Sequence, residues 1–300
     1  MNFINKALEK AKSLHRLKVE PDPATGPPPR PWPQGDEVAG FAAASGEIHY
    51  TLTRTVNVDM DRLRRNRLMV AGNDESLGEA YKLLRTRILQ RTRRESRNTL
   101  MVTGPLPGEG KTLTAVNLAL ALAREVGQTV LLVDGDLRRP SVHRYLDLPW
   151  GPGLADYLTS GYPIADSLVH PAGLANLVVL PAGRSTTQSA ELLSSPLMAE
   201  LVRELKHFYP DRYVLFDLPP LVYADPLAFA PLVDGIILVV EAGSTPREEI
   251  TRSLETLQGF PVLGCVLNKI DPRALSYNYL QYYPEPDSRK KFTLPWRKTG

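Results

Sequence analysis

The chain has 300 residues, 43% of them hydrophobic, with a formal net charge of +3 and one cysteine. That length and apolar content suffice for one large α/β core with tails rather than a second full domain, and so small a net charge gives no electrostatic signature of a nucleic-acid binder. Cys265, the single cysteine, excludes an intrachain disulfide; within the apolar run PVLGCVLNKI it is expected to be a buried, reduced thiol, as suits the cytoplasm.

Residues 1–20 open with MNFINKALEKAKSLHRL, in which Phe3, Ile4, Ala7, Leu8, Ala11 and Leu14 make one helical stripe opposite lysines. Such a helix either docks on a partner or membrane surface or frays in isolation. Lys6, Glu9, Lys10 and Lys12 break its apolar content, unlike a signal-peptide core, and no apolar run approaches the roughly 20 residues that cross a bilayer. Residues 21–70 hold the extended, linker-like PDPATGPPPRPWPQG, an alternating stretch over 48–60 that predicts a strand or two, and DRLRRNRLM, which begins a basic helix. The arginines Arg85, Arg87, Arg91, Arg93, Arg94 and Arg97 form either a solvated helix face or a contact for a subunit or anionic membrane.

From Asn98 the pattern becomes regular. TLMVTG, TVLLVDGD, NLVVLPAG, YVLFDLPP, GIILVVEAG and VLGCVLNKI read as short buried strands. Helical patterns separate them: KTLTAVNLALALAREVG, ending at a left-handed Gly127, then PLMAELVRELKHFY and TPREEITRSLETLQ. Nearly continuous apolar strands alternating with helices describe a doubly wound, mostly parallel α/β sheet covered on both faces. Ligands of such sheets bind beyond the carboxyl ends of the strands, so the loops after Val102, Val133 and Phe216 form the expected active edge.

The first of these loops, GPLPGEGKT, nearly matches a phosphate-binding loop but has Pro105 where the pattern asks for glycine. Its Pro107, Gly108, Glu109, Gly110, Lys111, Thr112 and Leu113 join a strand to a helix. Small residues there let backbone N–H groups close on phosphate oxygens, Lys111 reaches the terminal phosphates, and the Thr112 hydroxyl suits Mg²⁺. The second loop sets Asp134 and Asp136 two residues apart, on the same side of an extended segment, and the third contributes Asp217. One aspartate at a strand end is equally a helix cap. Three on the edge of a phosphate loop suit a Mg²⁺ shell in which some carboxylates act through water.

PGEGKT, LLVDGDLRRP and VLFDLPP resemble the Walker A, A′ and B motifs of the bacterial tyrosine kinases of capsule and exopolysaccharide synthesis. GLADYLTSG, LPAGRSTTQSAELLSS and ADPLAFAPLVDGIILVVEAG extend the resemblance over roughly residues 74–272. It implies a P-loop NTPase of the MinD/ParA-like type over residues 71–272, using ATP and Mg, with Lys111, Asp134, Asp136 and Asp217 catalytic and Thr112 and the three aspartates around the metal. Asp134 stands nearest the proton transfer in that scheme. ESLGEAYKLLRTRI resembles the family's helix before the first strand, and places its oligomerisation motif on Glu79, Lys82 and Arg85. Lys82 stands where the family has arginine and lacks the bidentate fork. The N-terminal helix and spacer are similar to those of stand-alone kinases beside exosortase-linked loci.

Residues 273–300 carry Tyr277, Tyr279, Tyr282 and Tyr283 ahead of a charged, proline-containing tail. By themselves they read as a surface aromatic patch. With the resemblance they become autophosphorylation acceptors, reached in a neighbouring subunit, and the further implications are self-association in a ring, a transmembrane chain-length partner as activator, a cognate tyrosine phosphatase, and a place at the inner face of the cell membrane. Three rivals remain: a partitioning or positioning ATPase, whose signature lysine is replaced by Leu106; a GTPase suggested by NKID, against which stands the absence of D-x-x-G at Asp217, so that Asn268 reads as a base contact and Asp271 as a strand-exit residue; and a non-catalytic ATP-binding scaffold for chain-length control.

Overall fold

In a computed structural model, the structure describes residues 53–70, 75–208 and 212–270. The amphipathic stripe of residues 1–20, the proline-rich spacer, Asp271 and the four tail tyrosines lie outside the described residues. The described chain forms an eight-stranded sheet of order β1-β4-β5-β3-β6-β2-β7-β8. Its strands are β1 Arg54–Val56, β2 Thr99–Thr103, β3 Thr129–Asp134, β4 Val169–Pro171, β5 Leu177–Leu180, β6 Arg212–Asp217, β7 Gly235–Glu241 and β8 Val262–Asn268. From β5 to β8 along the sheet all neighbours run parallel. At the other margin β4 turns antiparallel to β5 and carries the short β1 parallel to itself.

Among the described residues two α-helices precede the phosphate loop, α1 Met60–Arg65 and α2 Glu75–Thr92, and α3 Lys111–Ala123 follows it. The short α4 Val142–Tyr145, α5 Leu154–Ser160, α6 Ile164–Ser167 and α7 Ser189–Leu193 line the middle of the chain; α8 Pro196–Phe208, α9 Asp225–Phe229 and α10 Arg247–Thr256 complete it. Every residue of β2 is buried, and so is nearly every residue of α3. A helix that is apolar all round has no face for water and belongs in the core, where Leu118, Leu122 and Val116 pack against β2, β3 and β6. That burial makes α3 a fixed base for whatever its first residues hold.

Two expectations change. Helix α3 stops at Ala123 with Arg124 as its cap, and Gly127, at φ 73°, shapes the following turn instead. The mostly parallel order holds, with β4 antiparallel to β5 at one margin. Cys265 is exposed, on the edge strand β8, with Leu267 exposed two residues on. No helix among the described residues is long and apolar enough to cross a membrane.

Leu118→Ala, at a fully buried position of α3, is expected to destabilise the protein by about 2–5 kcal/mol in denaturant unfolding. Val126→Ala, at a residue 97% exposed, should change stability by less than about 0.5 kcal/mol. Equal effects would contradict the central placement of α3.

Candidate functional site

The loop after β2 turns on two glycines, Gly108 and Gly110, both at φ 86°, where a side chain would be strained. The glycine missing at Pro105 is supplied one residue earlier. A Cβ on Gly104 would overlap both Glu109 Oε2 and the Val239 carbonyl, so only glycine leaves room there. Lys111 Nζ donates to the Leu106 carbonyl at 2.9 Å, across the loop from its own backbone. Burial lowers its pKa, and the charges of Glu109, Asp217 and Asp136 oppose that fall.

Register decides where the carboxylates stand. In the β3–β6 ladder Asp134 is the partner of Asp217, so two carboxylates end adjacent parallel strands side by side. Both are buried. Asp134 Oδ2 accepts from the Ser141 and Val142 N–H groups at 3.0 Å each, which fixes the start of α4. Its Oδ1 and both oxygens of Asp217 have no hydrogen-bond partner in the described structure. Burial raises the Asp134 pKa to about 7, with the Asp136 charge adding to it. Burial and then the Asp134 charge push Asp217 well above the ordinary carboxylate range.

Asp136 follows just past the end of β3, where Gly135 N–H donates to the Asp217 carbonyl at 2.8 Å as the last bond of the β3–β6 ladder, and its charge acts on both Asp134 and Asp217. Asp136 accepts from the Arg139 N–H at 2.9 Å and faces a cavity of about 600 Å³. Its pKa is raised, mainly by burial. The cavity is walled by Gly108, Gly110, Lys111 and Thr112 on one side and by Arg138, Arg139, Arg144 and Tyr223 on the other. Four cations against one carboxylate suit a polyanion, and the volume suits a nucleotide.

Among the described residues no three His, Cys, Asp or Glu side chains form a metal cluster. The donor set nevertheless fits Mg²⁺, because buried, unpartnered carboxylate oxygens beside the Thr112 hydroxyl need a cation, and Mg²⁺ takes only one or two protein carboxylates with water and phosphate completing its shell.

Several participants carry no local sequence signal. The Ser141 hydroxyl lies 3.1 Å from Thr112 Oγ1. Arg138 Nε reaches both oxygens of the buried Asp225 at 3.0 Å and its guanidinium stacks over Tyr223, joining the loops after β3 and β6. Asn268 Nδ2 donates to the Glu109 carbonyl at 2.8 Å, so this side chain braces the phosphate loop and stands outside the cavity wall, as do Glu109 and Leu113. Glu79 and Lys82 pair with each other at 2.5 Å, while Arg85 turns back to Glu125 and the Ala121 carbonyl at the end of α3. Arg91 donates to the Leu263 carbonyl and Arg97 pairs with Glu95, so the basic run is partly consumed within the chain.

Residues 100–288 match the CobQ/CobB/MinD/ParA nucleotide binding domain. The chain is 34% identical over 210 residues to the tyrosine-protein kinase YwqD of Bacillus subtilis, covering 69% of this chain and 87% of that protein. It is 32% identical over 240 residues to the succinoglycan biosynthesis transport protein ExoP of Rhizobium meliloti, covering 76% of this chain but 29% of that much longer one. The kinase domain of the Escherichia coli tyrosine kinase ETK superposes with a TM-score of 0.63 at 28% identity, over 74% of this chain and 91% of that one.

The buried pair makes a pH-dependent prediction. The folded pKa of Asp134, about 7, lies above the ordinary 3.8, so its contribution to stability is fully present below that lower value and is lost as pH rises toward the higher one. In metal-free buffer at about pH 8, Asp134→Asn should therefore stabilise the protein by about 2 kcal/mol, and by less at about pH 5. Denaturant unfolding at both pH values checks this; a loss of stability at the higher pH would contradict it.

Proposed function

This chain belongs to the CobQ/CobB/MinD/ParA nucleotide-binding family and, within it, to the bacterial tyrosine-protein kinases, and from that premise we propose that it phosphorylates the tail tyrosines Tyr277, Tyr279, Tyr282 and Tyr283 of its own kind with ATP and Mg²⁺. It is a protein-tyrosine autokinase of exopolysaccharide production and export. The observation that carries the site assignment is the set of buried, unpartnered oxygens of Asp134 and Asp217 beside Thr112 and Lys111.

Lys111 leaves the Leu106 carbonyl for the terminal phosphates, and the loop N–H groups hold the remaining oxygens. Thr112, Asp134 and Asp217 are the residues that would hold Mg²⁺, whose charge offsets that of the phosphates. Arg138, fixed by Asp225, adds a second cation on the cavity wall. The phenol oxygen then bonds to the terminal phosphorus, the bond to the bridging oxygen breaks, and its electron pair leaves with ADP. Full proton transfer from a phenol of pKa about 10 to a carboxylate of about 4 would cost roughly 8 kcal/mol before attack, so the proton moves late in a loose transition state. Asp136, which faces the cavity, is a candidate acceptor for that proton beside Asp134.

The six residues between Ile270 and Tyr277 give the tail little reach to its own loop, which favours an acceptor from a neighbouring subunit, with Glu79, Lys82 and Arg85 on α2 at the contact. ExoP carries its matching stretch within a far longer chain. Here a transmembrane chain-length protein at the inner face of the membrane serves as activator, and a tyrosine phosphatase resets the tail.

Lys111→Met is expected to lower tail phosphorylation at least about 100-fold while the fold persists, as read by mass spectrometry after incubation with Mg·ATP and the activator's cytoplasmic segment. Mixed with an active chain lacking the four tyrosines, the Lys111→Met chain should gain phosphate on its tail. Phosphate absent there, while wild type modifies itself and mixed oligomers form, would exclude transfer between subunits; no phosphotyrosine on wild type would leave a nucleotide-binding scaffold.

A further inference from the structure

Glu109 sits between the two left-handed glycines of the phosphate loop, where a side chain ordinarily points to water, yet it is only 2% exposed. Its Oε2 accepts from the Leu106 N–H at 2.8 Å and its Oε1 from the Thr245 hydroxyl at 2.8 Å. Its carbonyl accepts from Asn268 Nδ2, also at 2.8 Å. Thr245 is itself fixed, because its hydroxyl oxygen accepts from the Glu241 N–H at 3.0 Å. One residue thus joins the loop after β2, the turn after β7 and the end of β8.

Two glycines make the room. The carboxylate occupies the space that a Cβ on Gly104 would take, and Asn268 occupies the space that a Cβ on Gly110 would take. A buried carboxylate is costly unless its oxygens are hydrogen-bonded, and these are. Neither oxygen faces the cavity. The Leu106 peptide is gripped at both ends, its N–H by Glu109 and its carbonyl by Lys111. When Lys111 turns toward a phosphate the second grip is released, and the first keeps the peptide in place.

We propose that Glu109 is a positioning residue: tied to Thr245 behind the loop, its carboxylate holds the phosphate cradle in its binding conformation before nucleotide arrives. The inference rests on the nucleotide reading of this site. Without the tie, loop residues must be ordered at the moment of binding, which lowers affinity. Nucleotide bound at saturation reorders them, so the turnover step is largely spared.

The test uses the full chain with four substitutions, Glu109→Ala, Glu109→Gln, Thr245→Val and Thr245→Ser. A glutamine keeps both bonds by accepting from Leu106 N–H with its oxygen and donating its amide to Thr245 Oγ1; a serine keeps the hydroxyl. Calorimetric binding of Mg·ADP, with KM for ATP and kcat for tail phosphorylation, gives the readout. Glu109→Ala should weaken Mg·ADP about tenfold and raise KM similarly with kcat within about threefold, Thr245→Val should follow in the same direction, and the Gln and Ser variants should recover most of the loss. Should Glu109→Ala fail to fold, Thr245→Val decides the question. Unchanged Mg·ADP affinity in the Ala and Val variants overturns the proposal alone, as does a fall in kcat at constant KM matching a loss of folded protein. Failure of wild type to bind Mg·ADP overturns the nucleotide reading and this inference with it.

Discussion

The pairing of Asp134 with Asp217 across two adjacent parallel strands is the constraint to which the rest of the structure answers. Neighbouring strands lie roughly 4.8 Å apart, so register alone brings two carboxylates together in a buried place. Burial raises the pKa of both, the Asp134 charge raises that of Asp217 further, and the Asp136 charge raises that of Asp134. Like charges held this way store a demand for a cation. The surrounding protein can bear it because the strands that carry them are buried beyond their first residue and α3, packed against them, is buried along nearly its whole length. A looser core would relieve the repulsion by letting the strand ends separate or water enter.

Much of this was legible because it is local. Apolar runs between helical patterns mark β2, β3, β6 and β7, and the chemistry falls at their carboxyl ends in the order in which the residues occur. What escaped the sequence depends on partners far along the chain. Cys265 lies in an apolar run like the others, yet β8 has a neighbour on only one side, so an apolar stretch there does not mean burial. That Asp134 ends beside Asp217 is set by the β3–β6 register, which no spacing within either loop reveals. Asn268 matches a base-reading pattern and is spent on the Glu109 carbonyl, 159 residues away. Gly104 replaces the glycine missing at Pro105 because the demand for space comes from Glu109 and Val239, which no spacing rule includes.

The three carboxylates are held differently. Asp134 spends one oxygen on the start of α4 and, like Asp217, is fully buried. Asp136, carried past the strand end, is held by the Arg139 N–H and presents itself to the cavity. Register supplies position and hydrogen bonds supply orientation: Asp134 and Asp217 are close enough to require a cation, while Asp136, whose charge reaches both, is the carboxylate that lines the cavity.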